Sequence, residues 1–295
     1  MIPPIIRRAA CLAAIPVSAL LAQGRPSTDV WTAPLDGRGV PHVGRAVNLT
    51  HRAGYDNQPS FTPDGSAILY TMIEGNGPSD IWRIDLKSQA RSRVTMSDVE
   101  SEYSATPMPD GVHFSSVRVE ADSTQRLWRF ALKGTEAPSV LLPNIKPVGY
   151  HVWASDVLVG LYVLGSGAAT LQIADLRTGT AETVAWNIGR ALQKIPGRNA
   201  ISFQQLRADG DWIYEFDLVT RQATAIARSP VRADFHVWTL DGVLLTASGA
   251  KILAWVNGKW DVAADLTADG VHNISRLAIS AKGDRLAFVA EDASR

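Results

Sequence analysis

The sequence predicts an all-β chain of six four-stranded antiparallel units closed into a ring, a six-bladed β-propeller, and three observations carry that prediction. A turn phrase is written twice: "QPSFTPDGSAILY" from Gln58 to Tyr70 and "ATPMPDGVHFSSV" from Ala105 to Val117 place the same Pro-Asp-Gly 46 positions apart. Two further strand phrases follow each turn at similar distances, so that a unit of four short strands repeats with a period of 41 to 46 residues. Finally, the last unit stops half-way at the end of the chain, and the missing half stands near its beginning.

Ahead of the repeats, residues 1–22 have the layout of a secretory signal peptide: Arg7 and Arg8, then an apolar run from Ala9 to Ala22 with small residues near its end. Cleavage is expected after Ala19 or Ala22, and the run is too short for a membrane span. The only cysteine, Cys11, lies here, and Arg8 replaces the apolar residue that a lipoprotein cleavage box needs three positions earlier. The mature chain is therefore expected to have no disulfide, thiolate metal site or cysteine nucleophile, and to reside in the periplasm or be secreted without a lipid anchor or transmembrane span.

Residues 28–295 are assigned to a single propeller. Pro-Asp-Gly followed by alternating apolar residues is hairpin wording, because proline presets φ and glycine accepts a positive one. Counting from Pro63 and Pro109, the turn recurs at Ser155 in "YHVWASDVLVGLYV", Pro196 in "LQKIPGRNAISF", Leu240 in "FHVWTLDGVLLTA" and Ala281 in "RLAISAKGDRLAFVA". The third strand of each unit is read in "DIWRIDLKS", "RLWRFALKG", "TLQIADLRTG", "WIYEFDLVTRQ" and "KILAWVNGKW". The fourth is read in "SRVTMSD", "PSVLLPN", "ETVAWNI", "ATAIARS" and "VAADLTADG". The sixth unit has only its hairpin, while "TDVWTAPLDG" from Thr28 matches "SDIWRIDLKS" and "AVNLTHRAG" supplies a closing phrase. The N-terminal strands are thus expected to complete the last blade and leave no open edge.

This wording resembles the repeat of the TolB-like six-bladed propellers, which reads roughly Pro-x-Trp-Ser-Pro-Asp-Gly, an apolar strand, an Asp-Ile-Trp strand and a Leu-Thr ending. "PSFTPDGSAILY", "SDIWRIDL", "NLTH" and "AISAKGDRLAFV" carry the resemblance, which spans about Thr28 to Ala290. It implies the propeller part of such proteins without the additional N-terminal α/β domain of TolB itself. The repeat is shared by peptidase-associated propellers and some lyases, so it implies a fold more sharply than a function.

Lysine plus arginine equals aspartate plus glutamate at 29 each, which argues against nucleic acid as a partner. Among chemistry-bearing residues, His151 and His236 occupy equivalent positions four residues before a turn, on the innermost strands of blades three and five. With His272, Asp56, Glu102 and Asp234 they form the candidate channel-mouth set. No metal or cofactor is expected; a divalent metal, if one bound, would take His151 and His236. Trp31, Trp82 and Trp128 recur in register and read as packing, whereas Trp186, Trp255 and Trp260 escape the register and leave a sugar or peptide platform as the lesser alternative. No catalytic set is legible. The expected role is a monomeric, non-catalytic binding or scaffold module for an envelope or extracellular protein, peptide or glycan. The alternative is a polysaccharide lyase or hydrolase using the two histidines.

Overall fold

The computed structural model describes residues 27–292 apart from 38 and 232; residues 1–22, the expected signal peptide, lie outside them. Six four-stranded antiparallel blades surround a central channel. Blade one consists of Tyr55–Phe61, Ala67–Ile73, Ser79–Asp85 and Arg91–Arg93, and blade two of Ser101–Pro107, His113–Val119, Gln125–Ala131 and Ser139–Val140. Blade three runs Val148–Trp153, Leu158–Val163, Thr170–Asp175 and Thr180–Trp186, and blade four Ile188–Lys194, Ala200–Gln205, Trp212–Asp217 and Ala223–Arg228. Blade five runs His236–Trp238, Leu244–Ser248, Lys251–Val256 and Lys259–Asp265.

Blade six joins both ends of the chain. Arg276–Ile279 and Arg285–Glu291 form its inner hairpin, Thr28–Asp36 pairs antiparallel with the second of these from Thr28 opposite Glu291 to Pro34 opposite Arg285, and Val47–Asn48 completes the blade. The closure read from the split repeat is therefore present.

Each hairpin turn falls where the repeat places it. The Gly65 amide donates to the Thr62 carbonyl at 2.8 Å with Gly65 at φ +67°, a conformation that strains residues with a Cβ. The faded copies make the turn by other means. In blade four the glycine stands one place earlier, with Arg198 donating to the Ile195 carbonyl, and in blade three the Ser155 hydroxyl accepts from the Leu158 amide at 3.0 Å.

The buried apolar side chains described form six clusters, one in each gap between neighbouring blades. That explains why a strand such as Ala67–Ile73 is apolar on both faces and buried throughout: it is sandwiched between blades rather than half-exposed. The Ser/Thr-Asp-Ile/Val-Trp phrase adds a polar clasp. Thr28 Oγ1 donates to the Asp56 carbonyl and Ser79 Oγ to that of Glu102, both at 3.0 Å, tying each blade to the innermost strand of the next. The following aspartates, Asp29 and Asp80, hold the hydroxyls of Thr50 and Thr95, which fixes the chain as it crosses between blades.

Candidate functional site at the channel mouth

The two repeat-equivalent histidines are buried in joints between blades. His151 Nε2 meets Ser115 Oγ at 2.6 Å, and the same hydroxyl accepts from Trp153 Nε1 at 2.9 Å. His236 Nε2 meets Ser202 Oγ at 2.8 Å, and Trp238 Nε1 donates to that oxygen, also at 2.8 Å. Each His-x-Trp pair thus straps an odd blade to the second strand of the preceding even one. Burial drags both imidazoles down to a pKa of about 3, so both are neutral.

Asp56 and Glu102 also occupy one repeat position, seven residues before Pro63 and Pro109, and both side chains are wholly buried. Asp56 Oδ1 accepts from Arg52 Nε at 3.1 Å, and Glu102 Oε1 accepts from Arg118 Nε at 2.8 Å and Ser97 Oγ at 2.9 Å. Burial outweighs the neighbouring guanidinium in each, raising Asp56 to about 6 and pushing Glu102 upward. Asp234 and His272 are exposed on the segments leading into blades five and six. The six residues therefore do not gather into one cluster, and among the described residues no group of three or more His, Cys, Asp or Glu is arranged to hold a metal ion.

The tryptophans divide. Trp31 stacks on Phe288 with ring centroids 6.2 Å apart, Trp82 packs against the core between blades six and one, and Trp128 donates to Glu120 beneath the Arg118 guanidinium. Trp255 and Trp260 face each other across a strand pair at 5.1 Å, with Trp260 Nε1 donating to the Arg228 carbonyl. Of the three proposed for a platform, Trp186 alone is exposed.

What does gather is a set lying beside the histidines. Within the first three residues of the six innermost strands, or just before them, stand Tyr55, Tyr103, Tyr150, Arg190, Phe235 and Arg276, one from each blade in ring order. The Tyr150 hydroxyl accepts from Arg276 at 3.1 Å, and that guanidinium lies 3.7 Å from the Phe235 ring centre and 5.2 Å from that of Tyr150. Tyr55, Tyr103, Tyr150 and Arg190 line a cavity of about 470 Å³ that runs between blades two and three. Gly149 makes room there, because a Cβ would come within 2.9 Å of the Tyr162 ring.

Bulges aim these side chains. From Asn57 to Ser60 the innermost strand takes three steps while its partner takes two, from Thr71 to Leu69, and blade two repeats the irregularity between Tyr103 and Thr106. The extra residues, Gln58 at φ +56° and Ser104 at φ +57°, are left-handed, and Gln58 Oε1 secures the second bulge by accepting from the Ser104 amide at 2.9 Å.

The guanidiniums split the phenols electrostatically. Burial pushes Tyr55 up to about 12, whereas for Tyr150 the upward push of burial is overcome by the charges and hydrogen bonds of Arg276 and Arg190, holding it below the usual tyrosine value. Spectrophotometric titration is expected to show one early phenol that disappears in Tyr150→Phe and moves to higher pH in Arg276→Gln. An unchanged titration curve in Tyr150→Phe would contradict this assignment.

No family model and no curated protein matches the sequence. Solved structures do match in shape. A putative TolB from Agrobacterium tumefaciens is 13% identical with a TM-score of 0.70, over 91% of this chain and 99% of that one. The fold is that of a TolB-like propeller. TolB from Acinetobacter baumannii is likewise 13% identical with a TM-score of 0.58, over 90% of this chain and 64% of its own length. An oligogalacturonate lyase in complex with manganese is 16% identical with a TM-score of 0.56, over 84% of this chain and 80% of that one. A TolB-like ring is thus a scaffold shared with an enzyme, and the side chains at its mouth must distinguish the uses.

Proposed function

We propose that the protein is a non-catalytic recognition module that acts outside the cytoplasm, exported by residues 1–22, and binds its ligand at the channel mouth. One observation carries the reading: every blade contributes one aromatic or arginine side chain to the same end of the channel, where the cavity beside Tyr150 opens. Aromatic rings and arginine are the side chains over-represented where proteins bind proteins, because they offer large rigid contact area with polar ends. Exposed Met96, Val99 and Val231 lie on the blade-to-blade segments at the same end, extending the apolar surface beyond the channel. Against an enzyme built on the two histidines stands their bonding: both Nε2 atoms are engaged by serines within blade joints.

A photo-crosslinking residue at position 103 is expected to capture one defined partner from the exported protein fraction, while the same residue at Asp64, in a hairpin at the opposite end of the ring, captures none. Turnover of a polysaccharide by the purified protein, abolished by His151→Gln or His236→Gln with folding intact, would overturn the reading in favour of an enzyme.

A further inference from the structure

Arg190 and Arg276 come from blades four and six, yet Arg276 donates to the Tyr150 hydroxyl at 3.1 Å and Arg190 lines the same cavity as that tyrosine. Two guanidiniums at one mouth repel each other and favour an anion placed between them. Several buried or half-buried arginines elsewhere in this ring are paired with carboxylates: Arg52 with Asp56, Arg93 with Asp80, Arg118 with Glu102, Arg126 with Glu120. At the mouth, by contrast, no carboxylate among the described residues lies within ion-pair distance of Arg190 or Arg276. The site therefore presents two guanidiniums whose positive charge nothing described in the chain neutralises, and a planar guanidinium matches a carboxylate with paired hydrogen bonds.

The cavity wall narrows the class of ligand. Beside Arg190 it is built of tyrosine rings, Val117, Val119 and Leu164, with Gln58 and Gln125 as its amides and no carboxylate. An uncharged sugar ring brings no negative charge for the two guanidiniums, and this wall has no carboxylate to accept its hydroxyls. A carboxylate next to an apolar side chain satisfies both halves of the site. We infer that the mouth is a receptor for an acidic peptide segment, with Arg190 and Arg276 clamping an aspartate or glutamate carboxylate while a neighbouring apolar side chain enters the tyrosine-lined cavity. This rests on the recognition reading above and gives that site its ligand chemistry.

Calorimetric titration of the full protein with acetyl-Leu-Glu-Phe-amide, acetyl-Leu-Gln-Phe-amide and trigalacturonate tests it. The glutamate peptide is expected to bind at least tenfold more tightly than its glutamine counterpart, with an affinity that falls as salt is raised, and Arg190→Gln/Arg276→Gln is expected to erase the difference at an unchanged melting temperature. Should the double variant not fold, Arg190→Gln alone is read instead, since that side chain is exposed. Equal binding of the two peptides, or none by the glutamate peptide, overturns the inference, and so does trigalacturonate binding more tightly than the peptide. The crosslink at position 103 separates the two claims. If it persists in the double variant, recognition stands and the carboxylate clamp falls; if it is absent in the wild type while the glutamate peptide binds, the clamp stands and protein recognition falls.

Discussion

Deleting residues 28–50 is expected to abolish the cooperative unfolding transition of the whole ring, not merely to loosen one blade. Thr28–Asp36 lies inside blade six with seven residues in register against Arg285–Glu291, and Val30, Ala33 and Leu35 are buried in the clusters on either side. Burying a valine or leucine side chain contributes roughly 1.5–3 kcal/mol. Losing the strand also uncovers Leu286, Ala287 and Phe288, which are fully buried beneath it, and breaks the Thr28 clasp to blade one. Together these losses reach the roughly 5–15 kcal/mol by which a domain is normally stable. A circular permutant separates topology from simple damage. Joining Glu291 to Thr28 through a five-residue loop like that of Glu74–Pro78, with new termini between Thr50 and Tyr55, makes every blade contiguous and is expected to fold. A truncated chain that melts like the wild type, observed by calorimetry, would refute the closure.

Legibility followed the repeat. Turns, strand phrases and closure were readable because each copy states the same backbone requirement, and even worn copies kept a substitute: Pro196-Gly197 moved the glycine, and Ser155 replaced it with a side-chain hydrogen bond. The Trp31, Trp82 and Trp128 register marked packing for the same reason. The mouth was less legible because its residues share no column of the repeat. Measured back from the turn, Tyr55 stands 8 residues away, Tyr103 and Arg190 stand 6, and Tyr150, Phe235 and Arg276 stand 5, so no single column of the repeat contains them. Attention to "YHVW" and "FHVW" came within one residue. Side chains alternate along a strand, so an imidazole that faces the preceding blade leaves its tyrosine or phenylalanine neighbour toward the mouth. The signal that was available is that both histidines follow an aromatic residue.

Two pairs of buried ionisable groups are expected to set the pH dependence of stability in opposite directions. Neutral His151 and His236 refuse protons down to about pH 3, whereas an unfolded histidine accepts one near 6.5. As pH falls below 6.5 the unfolded chain gains protons that the folded chain rejects, so each histidine removes about 1.4 kcal/mol of stability per pH unit, and the pair removes about 4 kcal/mol by pH 5. Asp56 acts the other way. Its folded pKa of about 6 exceeds the usual 3.8, so the folded chain holds a proton that the unfolded chain releases. That contribution is full below about 3.8 and is lost as pH rises through 6, a difference of about 3 kcal/mol, and raised Glu102 has the same sign. Between pH 6 and 4 the two slopes oppose: the histidine pair removes about 5 kcal/mol while Asp56 returns about 2, with Glu102 acting in the same direction as Asp56, so the wild type is expected to lose less stability on acidification than its histidines alone impose. His151→Gln/His236→Gln removes one slope and should leave a protein that gains stability on acidification over this range, though it is weaker at pH 7 for the altered serine contacts. Asp56→Asn/Glu102→Gln removes the other and should become markedly acid-labile below pH 6.5. Chemical denaturation at half-unit pH steps measures both, and parallel stability profiles for the wild type and the two double variants would show that these four groups do not govern the balance.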